Sequence, residues 1–149
     1  MADTSRFTYR ELYEQFSGFA DMDDGATVIA GVGLYDDRDD RKENYVDGDP
    51  ITGVHPFSDH YEGITFVING KGRAMTWSQV ADAVANIVTI AMQDKPAKVQ
   101  IGYFDGQSLR GFENDKAELR YVEDATVGED DTIWNVDLGP KAEWDKKLR

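Results

Sequence analysis

The only two histidines, His55 and His60, fall in the segment His55-Pro56-Phe57-Ser58-Asp59-His60-Tyr61-Glu62. Two imidazoles beside the carboxylates of Asp59 and Glu62 are donors of the kind that hold zinc or iron. The spacing works against that chemistry, because an i, i+5 pair matches no common helical site and Pro56 marks a loop. No metal is therefore expected here. Aspartates crowd again in Asp21-Met22-Asp23-Asp24-Gly25 and in Asp47-Gly48-Asp49. A calcium loop of the EF-hand type needs oxygens at its first, third and fifth places, glycine at the sixth and a bidentate glutamate at the twelfth. Counted from Asp21, Gly25 takes the fifth place, Ala26 the sixth and Val32 the twelfth. Valine cannot ligate calcium, so the motif fails.

Other reactive patterns fare no better. Gly31-Val32-Gly33 follows apolar residues, but Asp36 stands where the dinucleotide-binding pattern needs its third glycine. Lys71 and Arg73 beside Gly70 and Gly72 are explained by a turn, and no phosphate-binding Walker loop exists. None of the five serines (Ser5, Ser17, Ser58, Ser78, Ser108) lies in a nucleophile elbow. Ser58 neighbours His55, Asp59 and His60 in sequence, but a catalytic triad is defined by geometry. Carboxylates are so abundant that any two can be chosen for acid–base work, which removes the signal. Cysteine is absent, excluding disulfides, thiolate metal sites and thiol nucleophiles. The expectation is a protein without enzymatic activity or cofactor.

The dominant chemical feature is the acid excess. Twenty-nine Asp and Glu face sixteen Lys and Arg, for a net charge of −13. Residues 1–60 carry fourteen acids and five bases, residues 61–110 four and five, and residues 111–149 eleven and six. Clustered like charge strains a fold by self-repulsion, while attracting cationic partners and repelling nucleic acid and anionic membranes. The densest run, from Asp36 to Asp49, is in its bland reading a solvated loop. In its sharper reading Asp36, Asp37, Asp39, Asp40, Asp47 and Asp49 imitate a row of phosphates, with Glu129, Asp130 and Asp131 as a second set. Nearby aromatics (Tyr35, Tyr45, Phe57, Tyr61, Tyr121) serve either as interface anchors or as core.

The elements that must position these residues follow from local signals. At 149 residues, 40% hydrophobic and with seventeen aromatics, one domain spanning 1–149 is expected. Thr8 with Glu11 makes a capping box for a helix from Tyr9 to Ser17, stopped by Gly18. Thr27–Leu34 and Gly63–Asn69 read as strands, and Asn69-Gly70-Lys71-Gly72 as a turn into a short return over 72–74. Thr76 with Gln79 caps a longer amphipathic helix, Trp77–Gln93, whose Val80, Val84, Ile87, Val88 and Ala91 form one stripe. Lys98–Phe104 alternates as a half-buried strand. Leu109–Phe112, Glu118–Glu123 and Thr132–Leu138 follow as strands, and Gly139-Pro140 opens a final helical turn bearing Trp144 and Leu148.

The expected fold class is thus α+β: a mainly antiparallel sheet packed against one long amphipathic helix, with short N- and C-terminal helices. Met1–Arg10 is mostly polar, and the longest mainly apolar stretch, Val80–Met92, contains Asp82, Asn86 and Thr89. A cytoplasmic protein without membrane or direct nucleic-acid contact is expected. The function expected from charge is that of an acidic binding protein. It would inhibit a basic, nucleic-acid-handling partner, such as a defence nuclease or restriction-type system, by occupying its groove. An immunity protein or antitoxin that neutralises a basic toxin shares the same features. A small phage or virion structural protein is a third reading, suggested by size and strand content.

Overall fold

The computed structural model describes residues 7–22, 26–36, 41–58, 61–70, 72–104, 109–110, 119–127 and 133–142. The chain runs α1 (Tyr9–Met22), β1 (Ile29–Asp36), β2 (Arg41–Pro56), β3 (Ile64–Ile68), α2 (Trp77–Ile87), β4 (Lys98–Phe104), β5 (Leu109–Arg110), β6 (Arg120–Val127) and β7 (Ile133–Lys141). The seven strands form one sheet in the order β3-β2-β1-β7-β6-β4-β5, and β3 also pairs with β4. Six strands therefore close into a ring, with the two-residue β5 attached to β4. Closure gives each of the six strands two neighbours, although β2 pairs with β1 over residues 41–50 and with β3 over 51–56, so each half keeps one open edge.

This architecture overturns the expected antiparallel sheet on one long helix. The sheet is mixed: β1 runs parallel to β7, with Ile29 opposite Ile133 and Leu34 opposite Leu138, and β3 runs parallel to β4. Parallel neighbours need a crossover, usually a helix, and α2 supplies it between β3 and β4. The longer helix is the N-terminal one. The Thr8–Glu11 capping box forms as expected, with Glu11 N–H donating to Thr8 Oγ1 at 3.2 Å and Thr8 N–H to the Glu11 carboxylate at 3.0 Å. Gly18 does not stop α1, because the next residue, Phe19, stacks on Trp77 at 5.3 Å and carries the helix onward. α2 has the capping box predicted at Thr76 and Gln79 but ends at Ile87, not Gln93. Ile87, Val88, Thr89 and Ile90 are four β-branched residues in succession, whose restricted χ1 disfavours continuing the helix.

The expected opening of a C-terminal helical turn at Gly139-Pro140 is corrected too. Gly139 and Pro140 belong to β7, where its register against β6 shifts between Arg120 and Val122, and residues 143–149 lie outside the described residues. A bulge is one of the few places a strand accepts proline. Arg120 closes the irregularity by donating to the Gly139 carbonyl at 2.9 Å.

The core gathers where helices and ring meet. Tyr9, Leu12 and Phe16 from α1 and Trp77, Val80 and Val84 from α2 are fully buried, together with Phe66 of β3 and Trp134 of β7. Phe16 lies at the centre, with ring centroids 4.8 Å from Trp134, 5.7 Å from Trp77 and 6.1 Å from Phe66. The indole N–H of Trp134 donates to Gln15 Oε1 at 2.7 Å, and the Gln15 amide donates to the Ala125 carbonyl at 2.8 Å. A buried tryptophan needs such a partner, and here it ties α1 to β6 and β7. Among the described residues no helix is long and apolar enough to cross a membrane.

Candidate functional site

The acid-rich segment expected as a loop over Asp36–Pro50 is largely strand. β2 begins at Arg41 and pairs antiparallel with β1 over residues 41–50, so Glu43, Asp47 and Asp49 belong to a β1–β2 ribbon that β7 flanks along residues 29–34 of β1. Asp36 ends β1 in register with Arg41, an opposite charge directly across the pair. Asp47 stands opposite Gly31 and Asp49 opposite Ala30, which leaves Gly48 unpaired at a bulge. A bulge shifts the alternation of faces by one residue. Asp49 accordingly shares the face of buried Ala30 and is half-buried. Its carboxylate accepts a hydrogen bond from the hydroxyl of Tyr103 on β4. Burial, then the Asp49 charge, then that hydrogen bond hold the Tyr103 hydroxyl above its ordinary pKa of 10.0. Asp37, Asp39, Asp40, Glu129, Asp130 and Asp131 lie outside the described residues.

Gly31 and Gly33, which the dinucleotide pattern singled out, are buried within β1 between β2 and β7. A Cβ on Gly31 would stand 2.6 Å from Asn135 Oδ1, so close strand packing explains that glycine without a phosphate.

The segment that held both histidines contains a feature the sequence did not reveal. His55 is exposed near the end of β2, while His60 and Asp59 lie outside the described residues. Glu62 turns inward and is 3% exposed. Its Oε1 lies 3.2 Å from Nζ of Lys98, itself 4% exposed, and 3.8 Å from Nζ of Lys95. Both ammonium groups address the same oxygen. The other, Oε2, is buried without a hydrogen-bond partner. Among the described residues no group of three or more His, Cys, Asp or Glu is placed to hold a metal ion.

Backbone geometry fixes Glu62. The next residue, Gly63, has φ of +151°, and a Cβ there would stand 2.8 Å from Cβ of Phe57 and 3.0 Å from Leu119. Only glycine passes this point without strain. Glu62 and Gly63 line a cavity of about 350 Å³ between the end of β2, the loop before β3 and the C-terminal end of α2. Its walls include Val54, Ala83, Ile87 and Met92, and its polar lining includes Thr89. The Thr89 hydroxyl is also buried without a hydrogen-bond partner. The ion pair was hidden in the sequence because Glu62 and Lys98 are 36 residues apart. The only local hint was a lysine where the alternation of Lys98–Phe104 begins.

Fold and site together define a mixed β-ring closed by two helices, with an acidic ribbon and a separate small cavity. Comparison of the chain with protein-family models, curated proteins and solved structures finds no match.

Proposed function

We propose that the protein acts without turnover, as an acidic binding protein that occupies the nucleic-acid groove of a basic partner such as a defence nuclease. The observation that supports this reading is the ribbon. Of the chain's densest acid run, Asp36, Glu43, Asp47 and Asp49 stand on paired strands of the ring. A backbone ordered before encounter forfeits less entropy on binding. Steering by the −13 net charge accelerates association with a positively charged groove. Asp49 serves this reading as the anchor of the ribbon's base through Tyr103, and Asp36 and Asp47 lie further along it.

The test uses the full chain as bait in host lysate at low and high salt, beside a variant carrying Asp36→Asn, Asp37→Asn, Asp39→Asn and Asp40→Asn. A nucleic-acid-handling protein captured by the parent at low salt and released by high salt, with slower association to the variant, supports the proposal. Indifference of association to the four substitutions overturns it. Inhibition of the captured enzyme in proportion to added protein separates groove occupancy from mere contact.

A further inference from the structure

We infer that the groove between α1 and the end of α2 is a self-association surface, at which a second copy of this chain docks across a twofold axis. This does not rest on the acidic ribbon. The groove, of about 320 Å³, is lined by Arg10, Tyr13 and Glu14 of α1, by Ala85 of α2, and by Val88 and Gln93. Val88 and Gln93 flank the turn Thr89–Met92, which the Met92 N–H closes by donating to the Thr89 carbonyl at 3.0 Å. Ile90 stands on that turn and is 89% exposed, the one large hydrophobic side chain left in solvent among the described residues. A lone exposed apolar residue is ordinary, but this one stands beside an open groove walled by Tyr13, Ala85 and Val88. A knob next to a hole on one face is what a twofold axis makes self-complementary, each knob entering the hole of the other copy.

Charge selects a second copy as the occupant. A net charge of −13 opposes association between identical chains. The eleven residues 83–93, which supply the turn and one wall of the groove, carry no charged side chain, so two copies meet the least repulsion here. At the rim, Arg10 and Glu14 lie one helical turn apart on α1, and both are exposed. The Arg10 guanidinium is turned to Asp94 and Gln93, each at 3.1 Å. Across the twofold axis each Glu14 meets Arg10 of the other copy, whose five N–H donors serve Asp94 and a second carboxylate together. The rim is thus complementary to itself in charge as the groove is in shape.

Sedimentation equilibrium of the full chain tests this. A contact of this extent belongs to the weak, transient class, so the expected dimer dissociation constant is on the order of 100 µM. Amide resonances that move on dilution should fall within residues 10–14 and 83–93. Ile90→Asp should leave Tm in dilute solution unchanged, because the side chain is already in solvent. The same substitution should weaken dimerisation at least about a hundredfold, tenfold for each of the two knobs. Glu14→Arg and Arg10→Glu should each be monomeric alone, since each sets like charges across the axis, and an equimolar mixture of the two should dimerise. A parent chain that stays monomeric at about ten times the expected constant, a dimer indifferent to Ile90→Asp, or a mixture that stays monomeric would each overturn the assignment.

Discussion

The ammonium of Lys98, the first residue of β4, lies 3.2 Å from the carboxylate of Glu62, and neither side chain reaches solvent. The pair ties the loop before β3 to the start of the strand parallel to it. Removing Glu62 strands the Lys98 charge, and removing Lys98 leaves Glu62 with only the more distant, exposed Lys95; breaking a buried pair typically costs ~3–5 kcal/mol, whereas replacing both with apolar residues is often neutral. Lys98→Met and Glu62→Leu should each lower stability by an amount in that range. The double variant should recover most of the loss. Urea unfolding of the four proteins, with m unchanged, checks this; additive single effects would show that the two charges do not depend on each other.

Tyr103 gives a pH-dependent prediction of definite sign. Its hydroxyl pKa is raised in the folded chain, by burial first and by Asp49 second. The folded state therefore holds this proton more tightly than the unfolded state does. The associated stability is complete below the ordinary tyrosine value and is lost as pH rises through the higher folded value. Thermal unfolding between pH 8 and 11 should show a steeper alkaline decline in the parent than in Tyr103→Phe. Parallel declines would remove Tyr103 as a contributor.

Phe16 is the central ring of the core, touching residues from α2, β3 and β7. Truncation cannot be repaired by movement of one neighbour, since the three aromatic rings around it stand on separate elements. Phe16→Ala should cost ~3–5 kcal/mol. That corresponds to a fall in Tm of roughly 10 °C for a chain of this size. Phe16→Leu should lose less than half as much. Calorimetry distinguishes this from a loosely packed core, in which both substitutions would be mild.

What could be read in the sequence was local. Both capping boxes, Thr8 with Glu11 and Thr76 with Gln79, join residues three apart and form as expected. Lys98–Phe104 matches the predicted strand in its bounds, with Val99 and Ile101 buried as expected, while Lys98 and Gly102, expected on the exposed face, are buried as well. What failed was decided at a distance. Charges and Pro50 concealed β2, which is strand because β1 and β3 pair with its two halves. Gly18 looked like a helix end until Phe19 found Trp77. The parallel pairing of β1 with β7 joins residues about a hundred positions apart, and nothing local encodes it. Glu62 was noticed for the wrong chemistry, as a metal donor beside histidines, and its partner Lys98 was invisible for the same reason of separation.

The net charge of −13 makes a last prediction, about the fold's response to salt. Fourteen of the acids lie in residues 1–60 against five bases, so this part of the chain folds against mutual repulsion. Exposed charges more than a Debye length apart, about 8 Å at 0.15 M, are screened as salt increases. Raising sodium chloride from 20 mM to 500 mM should therefore raise the parent's Tm by several degrees, equivalent to ~1–2 kcal/mol. The four-fold Asp-to-Asn variant, with four fewer negative charges, should begin higher and gain less. Asp36 is set in backbone register with Arg41, and opposite charges at such cross-strand positions are worth ~0.2–1 kcal/mol. Asp36→Asn by itself should thus be neutral or slightly destabilising at low salt, while neutralising Asp37, Asp39 and Asp40 together stabilises. If all four single substitutions raise Tm equally, the Asp36–Arg41 register pairing contributes nothing and the repulsion is a uniform property of the chain's net charge.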